Sequence, residues 1–120
     1  MMLTQNWLFE TKKYHVHFKM PNYHDSKIYK LGDNKTGYYI GYTTQPLGRR
    51  LSEHKYGMKR HQKGNYGYKA SYDILQKKPK AKLMLIESYP CKNKMQLLKR
   101  EKHWIQKYGS KCINQRNKSK

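Results

Sequence analysis

The chain has 120 residues and a formal charge of +20, from 27 lysines and arginines against seven aspartates and glutamates. A hydrophobic content of 36% allows one small core, and the sequence has neither an apolar run long enough to cross a membrane nor a signal-peptide pattern. We therefore expect one intracellular domain, cytoplasmic or nucleoid/nuclear and not secreted, whose charge suits nucleic acid better than a membrane surface. Cys91 and Cys112 have no metal-ligand spacing, so free thiols are expected rather than a disulfide.

Residues 1–26 are interpreted as an N-terminal extension. Within it, Tyr14 to Phe18 alternates histidine with apolar residues, which is typical of a strand that adds to a sheet edge or covers the core. Pro21 and Asn22 then mark a linker into the rest of the chain.

The next segment has the pattern of a β-hairpin. Ile28 to Leu31 and Tyr38 to Thr43 are apolar, tyrosine-bearing runs, and Gly32 to Gly37 between them is rich in turn residues. Gly41 lacks a side chain near the end of the second run, so a backbone or a ligand can approach closely there.

A helix is expected after the hairpin, with Thr43 or Thr44 as its cap, Pro46 in its first turn and its end near Gly57. Leu47, Leu51 and Met58 would face inward.

Arg50 and His54 are four residues apart, so they share one face of that helix. A guanidinium grips a phosphate in a forked geometry, and imidazole and tyrosine hydroxyl groups transfer protons. Beside two strand-borne tyrosines, this pair predicts a site that cleaves phosphodiester bonds.

The region after His54 is strongly basic. We interpret it as a phosphate-contacting surface rather than a merely solvated loop, with Tyr66 either stacking on bases or packing on the protein. Its basic residues are Lys55, Lys59, Arg60, His61 and Lys63. A short helix is predicted from Tyr68 to Gln76, and the apolar run Lys82 to Ile86 is predicted as a central strand that completes a three-stranded sheet.

The last predicted element is a helix from Asn93 to Tyr108, closed by Gly109. Glu101 falls inside its apolar stripe, and a carboxylate on a buried face is costly unless it is paired or bound to a cation. We therefore interpret Glu101 as a divalent-metal ligand, with an ion pair to Arg50 or a lysine as the alternative. Glu87, at the end of the preceding strand, is the weaker candidate for a metal ligand.

The order of the two tyrosine-bearing runs, the Arg/His pair and the late glutamate along the chain resembles the GIY-YIG nuclease family. Lys27-Ile28-Tyr29 stands where the first triplet belongs, Tyr39-Ile40-Gly41 is the second triplet, and Arg50-x-x-x-His54 matches the helix motif. Glu101, followed by Trp104-Ile105, stands where the family has its single catalytic glutamate in a late helix. Lys27 replaces the glycine of the first triplet, which leaves the triplet's tyrosine in place.

The resemblance covers about residues 27–117, leaving 118–120 as a basic tail. It implies an α/β (α+β) domain with a three-stranded, mostly antiparallel sheet flanked by about three helices. The implied catalytic residues are Tyr29, Tyr39, Arg50, His54 and Glu101, with Mg²⁺ or Mn²⁺ at Glu101. Tyr29 would activate water, with His54 as its proton acceptor or as the base itself; Tyr39 would orient the water or the phosphate, and Arg50 would clamp the phosphate.

The resemblance also implies a late asparagine near the site, for which Asn114 fits better than Asn117. Lys27 would add positive potential there. Together with the basic stretch and Tyr66, these residues are the expected contacts to nucleic acid.

The expected function is metal-dependent hydrolysis of DNA by a compact restriction-like or free-standing endonuclease, possible as a homodimer on a palindromic site. The alternative is a non-catalytic basic nucleic-acid-binding protein. The charge and the tyrosines support both interpretations, whereas the ordered motif residues favour the nuclease.

Overall fold

The computed structural model describes residues 20–64 and 67–114, and over them the chain forms three strands and three α-helices. In chain order these are β1 (Lys27–Asp33), β2 (Gly37–Thr43), α1 (Leu47–Gln62), α2 (Ala70–Lys77), β3 (Met84–Ser88) and α3 (Lys94–Tyr108). The predicted α+β architecture with an antiparallel three-stranded sheet is confirmed. The predictions for Tyr14 to Phe18, Tyr66, Asn117 and the basic tail lie outside the described residues.

The predicted hairpin is confirmed as β1 and β2. The two strands pair antiparallel, with Tyr29 opposite Gly41 and Leu31 opposite Tyr39. The turn is closed by Asp33, whose Oδ1 accepts hydrogen bonds from the backbone N–H groups of Lys35 and Thr36 at 2.9 and 2.8 Å.

The sheet order is β2-β1-β3, so β1 is the central strand and β3 lies at an edge. The prediction that the apolar run 82–86 forms a central strand is therefore wrong. A continuous apolar run is typical of a strand buried on both faces, but here Met84 and Leu85 are 41% and 51% exposed. Only Leu83, just before the strand, and Ile86 pack against the apolar clusters.

The two faces of the sheet carry two apolar clusters. Tyr29 and Leu31 point to one face, where they pack with residues of α2 and with partly buried residues of α1. Ile28 points to the other face, where it packs with Ile40 and with Leu97 of α3. This alternation follows from the two-residue period of a strand, and it places α1 and α3 on opposite sides of the hairpin.

Helix α1 differs from its prediction at both ends. Pro46 is its N-cap and no side chain caps it, because the Thr43 hydroxyl accepts from the Gln45 N–H at 3.0 Å instead. The helix then passes through Gly57, which is buried, and continues to Gln62. Packing of Leu51 and Met58 against the core offsets the low helix propensity of a glycine. The basic stretch therefore lies largely on a helix.

Helix α3 begins and ends as predicted. The Asn93 side chain accepts from the Gln96 N–H at 3.0 Å, and Gly109 ends the helix with a φ of 58°. Leu97 is fully buried, whereas Leu98 is 40% exposed, so Leu98 does not belong to the buried stripe. Cys91 and Cys112 form no disulfide with each other. In the part of the chain that the structure describes, no helix is long and apolar enough to span a membrane.

Gly41 provides the space in which the Tyr29 ring lies. A Cβ added at Gly41 would lie 2.5 Å from the Tyr29 hydroxyl oxygen, and that hydroxyl is held by hydrogen bonds to His54 and Arg50. We expect Gly41→Ala to lower the free energy of unfolding by about 2 kcal/mol, the usual scale of overpacking. Urea denaturation measures this change.

Gly48→Ala is the matched control, since no neighbouring group in the described part of the chain lies within 4 Å of a Cβ added at Gly48 in helix α1. It should raise stability by about 0.5–1 kcal/mol through helix propensity. Equal stability of Gly41→Ala and the wild type would show that Tyr29 is not confined as described.

Candidate active site

The hydroxyl group of Tyr29 on β1 is the meeting point of three side chains from two elements, β1 and α1. Tyr29 is 0% exposed, and its Oη lies 2.7 Å from His54 Nε2 and accepts a hydrogen bond from Arg50 Nε at 3.2 Å. Arg50 and His54, which the sequence places on one helix face, thus contact the same oxygen from α1. The structure therefore brings together the three side chains that the sequence predicts to lie near one another.

His54 is held on its other side by Ser71 of α2. His54 Nδ1 lies 2.8 Å from Ser71 Oγ, and both side chains are buried. Burial, and secondly the positive charge of Arg50, lower the pKa of His54 to about 3. The imidazole is therefore neutral near pH 7. In the tautomer in which Nδ1–H donates to Ser71 Oγ, Nε2 accepts a hydrogen bond from the Tyr29 hydroxyl.

Both tyrosines of the motif are neutral hydroxyl groups. Burial raises the pKa of Tyr29 above its ordinary value and that of Tyr39 to about 12, although the charge of Arg50 opposes both shifts. The Tyr39 ring packs edge-on against His54, with 5.5 Å between the ring centroids. A buried phenolate is costly, so the Tyr29 hydroxyl is expected to stay protonated in the free protein, with His54 Nε2 as the nearest hydrogen-bond partner at 2.7 Å.

A cleft of about 410 Å³ runs along β2 beside this centre. It is lined by residues of β2, by Arg50 of α1, and by residues of α3 that reach the same strand from the opposite face of the sheet. Its lining includes Tyr39, Gly41, Arg50, Lys69, Lys94 and Glu101. One carboxylate thus faces a cleft that carries three basic side chains.

Glu101 is that carboxylate. Among the described residues it forms no hydrogen bond and no ion pair, and the predicted alternative of a pair with Arg50 is not observed, since Arg50 Nη1 pairs with Glu53 Oε1 at 2.8 Å. Burial raises the pKa of Glu101 to about 7, against the lowering effect of the Arg50 charge. Glu101 is thus a half-buried carboxyl group that lines the cleft, and its oxygen atoms have no hydrogen-bond partner among the described residues.

These oxygens fit a hard divalent cation, which prefers oxygen ligands and keeps several waters. Over residues 20–64 and 67–114, no group of three or more histidine, cysteine, aspartate or glutamate side chains could hold a metal. A cation in the cleft would thus take one ligand from Glu101 and the others from water and a bound phosphate.

The weaker candidate for a metal ligand, Glu87, is engaged elsewhere. Arg100 donates to both carboxylate oxygens of Glu87 at 2.7 and 2.9 Å, and the Trp104 indole donates to one of them at 2.9 Å. Glu87 does not line the cleft. The cause is its position on the edge strand β3, on the far side of β1 from β2.

The residues predicted to contact nucleic acid lie in several places. Lys55, Lys59, Arg60 and His61 lie on the second half of α1, and Lys63 is its C-cap. Contact of these residues with nucleic acid stays a prediction.

Two further residues of that set have protein partners. Lys27 Nζ donates to the carbonyl oxygens of Asp25 and Gln45 at 2.8 and 3.1 Å. The Asn114 amide accepts from the Ile40 N–H at 2.8 Å and donates to the Ile40 carbonyl at 2.6 Å. Residues 112–114 thus pair along the first half of the β2 edge, from Tyr38 to Ile40.

Sequence reasoning missed three charged residues near the centre. Glu53 pairs with Arg50, and its position three residues later on a helix was a usable signal. Lys69 and Lys94 line the cleft, but no local pattern indicates them, because they reach it from separate elements. Partial burial and then the charge of Arg50 lower the pKa of Lys69.

One comparison with known proteins identifies a family. The model of the GIY-YIG catalytic domain matches residues 26–117, most of the chain. No curated protein and no solved structure gives a match. The assignment therefore depends on the family pattern and on the arrangement of its residues in the fold.

Glu101 should make stability depend on pH. Its pKa is about 7 in the folded protein and about 4.5 in the unfolded chain, so the folded state binds the proton more tightly. Its contribution to stability is present below about pH 4.5 and is lost as the pH rises through 7.

Glu101→Gln removes this dependence. It should raise the free energy of unfolding at about pH 8 by up to roughly 3 kcal/mol, since each tenfold change in proton affinity is worth about 1.4 kcal/mol. At about pH 4.5 the variant and the wild type should differ little. Urea denaturation at both pH values, without added metal, measures the difference. An equal effect at both would contradict a buried, titrating Glu101.

Proposed function

The chain belongs to the GIY-YIG catalytic-domain family, a family of nucleases, and on that premise we propose that it is a divalent-metal-dependent endonuclease that hydrolyses DNA. The observation that carries the proposal is the shared Tyr29 hydroxyl contact of Arg50 and His54, next to a cleft that contains Glu101. Hydrolysis of a phosphodiester needs a proton acceptor, a phosphate clamp and compensation of negative charge. These residues supply each in one place.

Arg50 is the phosphate clamp in this proposal. In the described structure two of its five N–H donors are used, one by Tyr29 and one by Glu53. Its other donors can hold a phosphate oxygen while negative charge develops. Lys69 and Lys94, which line the same cleft, add positive potential along the path of the DNA backbone.

Tyr29 and His54 move the proton. We propose that the attacking water gives a proton to Tyr29 Oη as Tyr29 gives its own proton to His54 Nε2, 2.7 Å away. Concerted transfer avoids a buried phenolate, which is costly because burial raises the pKa of Tyr29. The imidazolium that it forms is also costly, since burial and the charge of Arg50 lower the pKa of His54, and we propose that the negative charge of the bound phosphodiester stabilises it. Tyr29 is 0% exposed and its ring fills the space beside Gly41, which lines the cleft, so the proposal requires a small movement of these side chains that admits the attacking water to the hydroxyl.

Glu101 would hold Mg²⁺ or Mn²⁺. A cation bound there supplies Lewis-acid stabilisation of charge on the phosphate. Tyr39, whose side chain lines the cleft, would orient the phosphate or the water with its neutral hydroxyl.

One such centre per chain cuts one strand at a time. Cleavage of both strands therefore needs two copies on a palindromic site or two successive nicks. We propose a restriction-like or free-standing nuclease, and discrete products from plasmid DNA would distinguish a sequence-specific enzyme from a nonspecific one.

The proposal predicts Mg²⁺-dependent cleavage of supercoiled plasmid that Glu101→Gln abolishes, by at least about 100-fold, because it removes the only carboxylate described in the cleft. DNA binding should persist, since the variant gains no negative charge. Gel electrophoresis measures cleavage and fluorescence anisotropy measures binding.

Glu87→Gln is the matched control, because Glu87 is a half-buried carboxylate outside the cleft. It should keep its activity. Retained DNA binding by the wild type without cleavage in Mg²⁺ or Mn²⁺ would instead support the non-catalytic binding protein.

The basic half of α1 should set the salt dependence of binding. Lys59 and Lys63 are exposed at the C-terminal part of that helix. Each lysine that neutralises a phosphate contributes about one to the slope of log affinity against log salt. The double variant Lys59→Ala/Lys63→Ala should reduce the slope by about two, as measured by anisotropy between low and moderate salt.

The control is Lys80→Ala/Lys82→Ala, which removes the same charge from exposed positions before β3. It should leave the slope unchanged. Equal slopes for the two double variants would show that α1 is not the DNA-binding surface.

A further inference from the structure

Two anchors fix the guanidinium group of Arg50. Arg50 Nε donates to Tyr29 Oη at 3.2 Å, and Arg50 Nη1 donates to Glu53 Oε1 at 2.8 Å. The two contacts use different nitrogen atoms of a rigid, planar group. Together they determine both its position and the orientation of its plane.

Glu53 is itself held by a second hydrogen bond. Its second oxygen, Oε2, accepts from Gln45 Nε2 at 3.1 Å. The Gln45 main chain is fixed in turn, because its N–H donates to the Thr43 hydroxyl and its carbonyl accepts from Lys27 Nζ. The result is a continuous chain of contacts from Lys27 at the start of β1 to the Tyr29 hydroxyl.

We infer that Glu53 is a positioning residue for the reaction proposed above, on which this inference rests. Glu53 acts through Arg50: it holds the guanidinium so that the remaining N–H donors face the cleft that Arg50 lines. Without that anchor the long arginine side chain regains rotamer freedom. Gln45 keeps Glu53 in place, and Lys27 keeps Gln45 in place.

Lys27 supports this chain of contacts at its far end. Lys27 stands where the first triplet of the family has glycine, and its ammonium group joins the carbonyl oxygens of Asp25 and Gln45. A glycine at that position could not make these contacts. The contacts tie the segment before α1 to the beginning of β1.

An ion pair that serves only stability would behave differently. The Arg50 and Glu53 side chains are 23% and 20% exposed and three residues apart on a helix, a class of pair that stabilises proteins little. A second glutamate–arginine pair, Glu87 with Arg100, has similar exposures of 27% and 31% and lies outside the cleft. It provides a control for the loss of an ion pair as such.

The kinetic test compares Glu53→Ala, Glu53→Gln and Glu87→Ala, each checked for folding by circular dichroism. Cleavage of a DNA duplex in Mg²⁺ gives kcat and KM. We expect Glu53→Ala to lower kcat about 100-fold, the scale of a misplaced catalytic group, with KM within about twofold of the wild type. Glu53→Gln should recover most of kcat, because its amide oxygen still accepts from Arg50.

Glu87→Ala should keep the wild-type kcat. A wild-type kcat in Glu53→Ala would overturn the inference, as would an equal loss in Glu87→Ala or a loss confined to KM.

A second readout needs neither DNA nor metal. The ¹⁵N-bound Arg50 Nε–H resonance, assigned by its absence in Arg50→Lys, should exchange slowly with water in the wild type and at least about tenfold faster in Glu53→Ala, because opening of the Tyr29 contact becomes easier. Glu87→Ala should not change it.

Unchanged Nε–H exchange in Glu53→Ala would overturn the inference even in an active enzyme. If exchange is faster in Glu53→Ala than in the wild type but the wild type does not cleave DNA, the proposed function is refuted, while the role of Glu53 in holding Arg50 stands.

Discussion

The rest of the site depends on the burial of one hydroxyl group. A phenol that is fully removed from water needs hydrogen-bond partners, and Tyr29 finds them in His54 and Arg50. Because those two residues are one helical turn apart, satisfying Tyr29 fixes both the rotation of α1 and its distance from the hairpin. Gly41 leaves the space for the ring, and Ser71 carries the same network into α2.

The parts of the fold that follow from local patterns could be predicted from the sequence. The hairpin is set by its turn residues and apolar runs, and the helix ending at Gly109 is set by its period and its cap. The predictions were wrong where contacts with other elements, rather than the local sequence, determine the structure. The apolar run before Glu87 has the composition of a buried strand, but only the pairing of β1 with both other strands makes it an edge. Gly57 has the propensity to end a helix, but packing carries α1 past it.

The same division applies to the candidate site. The spacing of Arg50 and His54 predicts their shared face, and helical periodicity places Glu101 in the half-buried stripe that the cleft reaches. Spacing cannot show that Lys69 joins the cleft from a segment between two helices. Nor can spacing show that the Asn114 side-chain amide both accepts a hydrogen bond from the Ile40 N–H and donates one to the Ile40 carbonyl. Those contacts depend on how separate elements dock, which one sequence does not specify by period or composition.

Desolvation favours the neutral forms of Tyr29, Tyr39, His54 and Glu101. It lowers the pKa of His54 to about 3 and raises that of Glu101 to about 7, so near neutral pH the imidazole is uncharged and the carboxyl group is only partly ionised. The remaining charges of the cleft are those of its basic side chains, which favours the entry of an anionic phosphodiester. A divalent cation beside Glu101 would favour the ionised carboxylate and offset the added phosphate charge. Cation and phosphate should therefore bind cooperatively, because each reduces the electrostatic cost of holding the other.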